Sequence, residues 1–334
     1  MSQVLSTPAG RIPLLDVGPY LAGAPGARAA LASAIEITCR DTGFLVIANH
    51  GIDQALIDAT FASAEAFFDR PTELKMALKV GDLNIGYLPY GAQIVRTSKV
   101  HVNTQPNLSE SFYIVNDLEA DDPRILSADP LYGLNKWPAD MPEFKAATLA
   151  YTAAMRPLAR RMVSAIATSL DLPDDYFETA FGPEPTTTLR LIRYPAHDSA
   201  KDNQFGFAPH IDTNFLTLLA RSALPGLEVR TKEGEWIRPP HVPGTFVVNT
   251  GEMLGRYSND HYTPTPHRVI NDNDARRHAI PFFYGPGLEA IVKPVPTRVS
   301  ADHPAKYEPL LYADHRRRLA LTNFDHRRDA AARV

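Results

Sequence analysis

Residues 209–219 read Pro209-His210-Ile211-Asp212-Thr213-Asn214-Phe215-Leu216-Thr217-Leu218-Leu219, and the interpretation of the chain turns on them. The second half of this stretch, aromatic and aliphatic with a β-branched threonine, has the texture of a strand. The first half carries two potential metal ligands, two residues apart. In extended chain such residues share a face, so His210 and Asp212 are expected to project together into a barrel interior. Around this segment, from Pro185 onward, short β-type runs follow one another at 187–194, 214–220, 226–230, 245–249, 267–270 and 278–284, with Gly, Pro, Asn and Asp between them. That spacing predicts a sandwich or barrel. A Rossmann fold would alternate strands with helices and carry a Gly-rich phosphate loop, and the sequence has neither pattern.

Upstream the texture is helical. Residues 28–40 are Ala-rich, Asp41-Thr42-Gly43 stops them, and Phe44-Leu45-Val46-Ile47 reads as a strand. After Asn49-His50-Gly51, Asp53 is placed to cap a helix with the stripe Ile57, Phe61, Ala64 and Phe68, and Pro71 suits the first turn of a short helix through Leu74 and Met76. Residues 81–107 predict a long loop or short irregular strands. A long helical pattern over 141–170 contains Pro157, which is expected to kink it or split it. From Lys306 a helical pattern returns and ends in a charged stretch at 325–329.

The chain has 334 residues, enough for two domains or one large decorated unit with a sizeable core. With 34 Lys plus Arg against 38 Asp plus Glu, the net charge is −4, so no basic field draws it to nucleic acid or anionic membranes, and small near-neutral partners are the default. Hydrophobic residues make up 44% and charged residues 22%, which is ordinary globular usage; the 29 prolines exceed the usual share of about 5%. The single cysteine, Cys39, excludes an intramolecular disulfide or a Cys-rich metal cluster. A lone thiol, no basic-then-apolar leader and no long apolar run together predict a reducing, cytoplasmic setting without membrane association.

Two ligands make a weak metal site, so a third must come from another strand, and His267 in Pro266-His267-Arg268-Val269-Ile270 is the best candidate. Two histidines and one carboxylate on one face, with open positions opposite, suit non-haem Fe(II) oxygen chemistry, with zinc as the competitor. Ten residues on, Arg277 opens the apolar run Ala279-Ile280-Pro281-Phe282-Phe283; taken alone, such an arginine reads as a solvated strand edge.

Together, His210-x-Asp212, His267-Arg268-Val269 and Arg277-x-Ala279-x-Pro281-Phe282-Phe283 resemble the 2-oxoglutarate/Fe(II)-dependent dioxygenases of the isopenicillin N synthase-like family. The resemblance continues through Ile12-Pro13-Leu14-Leu15-Asp16, Asp41-Thr42-Gly43-Phe44, Asn49-His50-Gly51-Ile52, Phe67-Phe68, Lys75, Gly86-Tyr87, Leu191-Ile192-Arg193-Tyr194-Pro195, Leu216-Thr217-Leu218-Leu219 and Pro225-Gly226-Leu227-Glu228-Val229, in order, over most of positions 11–290. It implies a mainly β protein with α elements, a double-stranded β-helix (jelly roll) with N-terminal and C-terminal supporting helices. The implied organisation is an N-terminal helical and strand region over 11–125, linking helices over 126–184, the jelly-roll core over 185–290 and a C-terminal extension and helix over 291–334, as one cooperative unit.

By the same resemblance His210, Asp212 and His267 bind Fe(II), and 2-oxoglutarate chelates the iron while Arg277 holds its distal carboxylate. A guanidinium stays charged when buried and its planar fork matches a carboxylate. Formal charge closes as well: Fe(II) with Asp212 is +1, the 2-oxoglutarate dianion −2 and Arg277 +1. Tyr194 matches a family tyrosine that hydrogen-bonds the same carboxylate or the substrate. Two departures stand out. Ala279 replaces a common serine, which removes one hydrogen bond to a charged group, worth about 1.5–3 kcal/mol. Ile192 replaces a common asparagine. Ala279 keeps open an Fe(II) oxidase or cyclase of the same family that dispenses with 2-oxoglutarate.

Other polar residues read as structural: His50 in its turn, His241, His261, His278 and His315 as exposed or packing histidines, and Arg316-Arg317-Arg318 as a solvated helix face. Glu110-Ser111-Phe112 receives no role. The expected enzyme consumes O2 and 2-oxoglutarate, releases succinate and CO2, and oxidises a C–H bond of a small amphipathic metabolite, by hydroxylation in the default case and otherwise by desaturation or ring closure. The segments 86–90 and 103–112 are expected to build its pocket. A zinc hydrolase at the same three residues and a non-catalytic jelly-roll binder are the readings from other classes; the oligomeric state is not legible.

Overall fold

Alternation along single strands builds the core. In the strand Thr186–Tyr194, Leu189 and Leu191 turn toward the helices, while Ile192 and Tyr194 turn the other way into a second apolar cluster with Phe205, Phe207, Val269 and Ala279. Period-two alternation of this kind gives one strand two buried faces. The computed structural model describes residues 4–5, 11–81, 83–96, 98, 100–127, 129–196, 204–271 and 275–322.

Two sheets face each other as a jelly roll. The larger has nine strands, in spatial order Val4–Leu5, Leu14–Asp16, Phe44–Ala48, Phe246–Thr250, Leu216–Arg221, Arg277–Gly285, Thr186–Tyr194, Glu110–Val115 and Gly86–Leu88. The smaller has four, in the order Trp236–Ile237, Leu227–Arg230, His267–Val269 and Phe207–His210. Pairing is antiparallel throughout these two sheets except between Leu14–Asp16 and Phe44–Ala48. The six β runs read from sequence all appear, with ends shifted by one or two residues. The strand Glu110–Val115 was not anticipated; the segment 103–112 was expected to help build the pocket.

Helices Ala27–Asp41 and Gln54–Phe68 pack on the long helix Pro142–Ser169 behind the larger sheet. Asp53 caps the second of them, its Oδ1 accepting the Ala55 N–H at 2.9 Å. The long helix runs unbroken for 28 residues through Pro157, so the expected split does not occur. Met155, Leu158, Ala159 and Met162 on either side of the proline are buried, and that packing offsets the lost backbone hydrogen bond. The C-terminal helix is Tyr312–Thr322; the charged stretch at 325–329 lies outside the described residues.

Candidate active site

His210 ends the strand Phe207–His210, and His267 begins the strand beside it. Antiparallel register places the two opposite each other, with imidazole centroids 4.2 Å apart. Asp212 is not on the strand: the ladder ends at His210 and Asp212 lies in the loop that follows. Its position comes from contacts instead of pleat, the Glu252 N–H donating to the Asp212 carbonyl at 2.8 Å.

The hydrogen bonds around the three side chains prepare them for one ion. His210 Nδ1 lies 2.9 Å from the Ala208 carbonyl and His267 Nδ1 3.2 Å from that of Thr265. A carbonyl can only accept, so both Nδ1 atoms carry the proton and both Nε2 atoms keep a lone pair. Asp212 Oδ2 accepts from the Thr217 hydroxyl at 2.6 Å and the Asn249 amide at 2.8 Å. That leaves Oδ1 facing His210 Nε2 at 3.6 Å and His267 Nε2 at 3.7 Å. Among the described residues this is the one group of His, Cys, Asp and Glu side chains whose ligand atoms converge, all within 4.8 Å of one another. Burial works against charge on Asp212, yet His267, His210 and the Asn249 amide outweigh it and hold the carboxyl well below the usual carboxylate range. Burial, with His210 beside it, pushes His267 down to about 4 against the pull of Asp212. An ionised carboxylate and a neutral imidazole are the forms a metal binds.

From these ligands a narrow cavity runs inward between the sheets, past Leu219, Leu227, Val269 and Ala279, to Arg277 and Tyr194. Arg277 is 2% exposed and sits opposite Tyr194 in the strand register. Its guanidinium lies over the Tyr194 ring at 4.7 Å, and Nε donates to the Leu224 carbonyl at 3.3 Å. The tyrosine therefore supports the cation with its π face. Gly226, at φ +156°, lets Arg277 in: a Cβ there would stand 2.9 Å from the Ile270 carbonyl and 3.2 Å from Arg277 Nε. Ala279, two residues along from Arg277, gives the same wall only a methyl group. Across the ladder from Ala279 is Arg221, which burial and the neighbouring Arg277 push down to about 10. Arg277 thus makes the inner end of the cavity positive, with Arg221 near it but not on the cavity wall, and a positive end suits a carboxylate.

Outward from the ligands opens a larger cavity of about 440 Å³. Its walls include Leu83, Gln93, Tyr113, Arg190 and Phe207, with Arg316 and Leu319 from the C-terminal helix. The segment 86–90 is not among them. Tyr87 turns instead into the core, where its hydroxyl donates to Glu110 Oε2 at 2.6 Å. Arg316, read from sequence as part of a solvated face, lines the cavity. Arg190 went unnoticed in the sequence, although it alternates with Ile192 and Tyr194 on one strand face. His50 is structural: it stacks on Phe246, its Nδ1 accepts the Ile52 N–H at 3.1 Å and its Nε2 lies 3.1 Å from the Gly244 carbonyl.

Two family models match the chain, the non-haem dioxygenase in morphine synthesis N-terminal region at residues 12–140 and the 2OG-Fe(II) oxygenase superfamily at residues 185–286. The chain is 31% identical over 310 residues to the 2-oxoglutarate-Fe(II) type oxidoreductase hxnY of Emericella nidulans, spanning 90% of this chain and 87% of that one. It is 32% identical to the homoarginine-6-hydroxylase 2-ODD-233 of Oryza sativa subsp. japonica, spanning 94% and 97%. Its structure resembles that of Neurospora crassa T7H in complex with alpha-KG and 5-formyluracil, with a TM-score of 0.81, 26% identity and coverage of 96% and 100%. No helix among the described residues is long and apolar enough to cross a membrane.

Proposed function

Because the chain belongs to the 2-oxoglutarate- and Fe(II)-dependent oxygenases, and is an oxidoreductase with those cofactors, we propose that it hydroxylates an unactivated C–H bond of a small amphipathic metabolite. One observation carries the reading: the converging ligands His210, Asp212 and His267 and the buried cation Arg277 lie on one cavity, and His210 and Asp212 also line a second, roomier one. When bound, iron and 2-oxoglutarate supply the oxidising chemistry, in which O2 is consumed and succinate and CO2 are released. The protein's residues do the rest. His210, Asp212 and His267 would hold the metal from one side and leave the opposite side open. Arg277, braced by Tyr194, would pair with the distal carboxylate, and the apolar walls Leu219, Leu227 and Val269 exclude water from between.

A small molecule suits the outer cavity, which mixes aromatic, amide and aliphatic walls and has the volume of an ordinary ligand pocket. The relatives' names point the same way, one a homoarginine hydroxylase and one a protein bound to 5-formyluracil. Hydroxylation is the default outcome; desaturation and ring closure begin from the same hydrogen abstraction, and substrate placement selects among them.

The test is an anaerobic titration with Fe(II) and then 2-oxoglutarate, following the weak visible charge-transfer band of a chelated keto acid. The band is expected in the wild type and absent in Asp212→Ala. Arg277→Gln should still bind iron but need roughly ten- to hundredfold more 2-oxoglutarate, the loss of a charge-assisted contact. Iron binding without a band in the wild type would overturn the assignment of Arg277 and return the oxidase reading.

A further inference from the structure

Arg190 is 5% exposed, yet it lines both the inner and the outer cavity. Its guanidinium is sandwiched between the rings of Tyr113, at 4.7 Å, and Phe207, at 4.8 Å. One edge is occupied: Nε and Nη2 donate to Ser111 Oγ at 3.0 and 2.8 Å, and Nη2 also donates to Gln93 Oε1 at 2.9 Å. The two rings and these hydrogen bonds fix the group, and among the described residues Nη1 makes no side-chain hydrogen bond. Phe207 also packs on His210, with centroids 4.5 Å apart, so a single aromatic ring separates this cation from a metal ligand.

The partners of Arg190 are all neutral. Among the described residues no carboxylate pairs with it. Of the other acids lining the outer cavity, Asp260 is taken by Lys306 and Tyr307, and Glu252 makes no ion pair with Arg190. Fe(II), Asp212, 2-oxoglutarate and Arg277 cancel in formal charge, and Arg190, itself buried, adds a cation with no counter-charge of its own at a cavity that Arg256 and Arg316 also line. A buried charge without a counter-charge is costly, and a ligand that supplies one is favoured correspondingly.

We propose that Arg190 anchors a carboxylate of the substrate through Nη1, and that the substrate of this enzyme is a small carboxylic acid oxidised a few bonds from that group. The inference rests on the oxygenase reading above and deepens it. The stacked rings hold the guanidinium in place before the acid arrives, so little ordering is lost on binding.

The experiment uses full-length protein loaded anaerobically with Fe(II) and 2-oxoglutarate. It is titrated with a panel of small aliphatic and aromatic monocarboxylates, each paired with its primary amide, and binding is read from the change in the charge-transfer band. Succinate release in air gives a second readout. Acids are expected to bind roughly ten- to hundredfold more tightly than their amides, the range of one charge-assisted contact. Arg190→Gln should erase most of that preference while the iron and 2-oxoglutarate band persists, and Arg190→Lys should restore part of it. A wild-type panel in which no acid binds better than its amide overturns the proposal, even if both variants fail to fold. So does Arg190→Gln with the full acid preference intact. Failure of the oxygenase reading is separately visible, because then the loaded protein would show no band at all.

Discussion

Thr217 and Asn249 bond Oδ2 of Asp212 and so determine which oxygen meets the imidazoles. Groups that orient a metal ligand in this way commonly govern affinity by about 10–100-fold when removed. Thr217→Val, close in shape but without the donor, is therefore expected to weaken Fe(II) binding by that order, measured anaerobically as the iron concentration that half-develops the charge-transfer band. Unchanged iron affinity would mean that the carboxylate needs no such support. Gly226→Ala acts at the other end of the cavity. Crowding of Arg277 should raise the 2-oxoglutarate requirement and leave iron affinity near the wild-type value. His210 and Asp212 suggested a site by their spacing, while His267 and Arg277 were assigned through the family resemblance; Thr217, Asn249 and Arg190 carry ordinary strand texture and acquire a role only through what folds beside them.

At the scale of elements, residues that the sequence quoted separately meet around one carboxylate. Glu110 Oε2 accepts from Lys75 Nζ at 2.9 Å and from Tyr87, and Oε1 accepts from Arg193 Nε at 2.7 Å. The group ties the short helix Thr72–Met76 and the strands Gly86–Leu88, Glu110–Val115 and Thr186–Tyr194 together at the edge of the larger sheet. Lys75 and Glu110 are both buried, and removing one partner of a buried ion pair costs about 3–5 kcal/mol. Glu110→Gln is expected to lose stability on that order in urea unfolding, with the strand Thr186–Tyr194, which bears Arg190 and Tyr194, loosened first in hydrogen exchange. A loss below about 1 kcal/mol would show that the network is dispensable. No local pattern announces this network, since its members lie far apart along the chain.

Across the whole molecule, buried histidines set a pH dependence. Burial lowers the pKa of His50, His278 and His315, partly opposed by the Gly244 carbonyl at His50 and by Glu65 and Asp69 at His278. Their folded pKa values lie below the unfolded value of about 6.5, so between the two the unfolded chain binds more protons. Stability is then full above about pH 6.5 and falls as the pH drops through and below that value. Thermal unfolding of the metal-free protein at constant ionic strength should show a lower Tm at pH 5.5 than at pH 7.5. A flat profile would mean that these histidines protonate in the folded state without cost.

Local chemistry determined what the sequence could show by itself. Alternation, turn residues and Asp53 at a helix start specify strands and helices because each depends on near neighbours, and the spacing of two between His210 and Asp212 marks half of a candidate metal site because it too is local. Three things were decided only by tertiary structure. Asp212 left its strand and was placed by a loop and two hydrogen bonds. Pro157 stayed inside one helix because the core packed around it. Arg190 became a cation beside the reacting centre because rings from two other strands closed over its faces. In each case at least one deciding interaction joins residues distant in sequence, such as Asn249 with Asp212, and a linear pattern carries no record of which of them will meet.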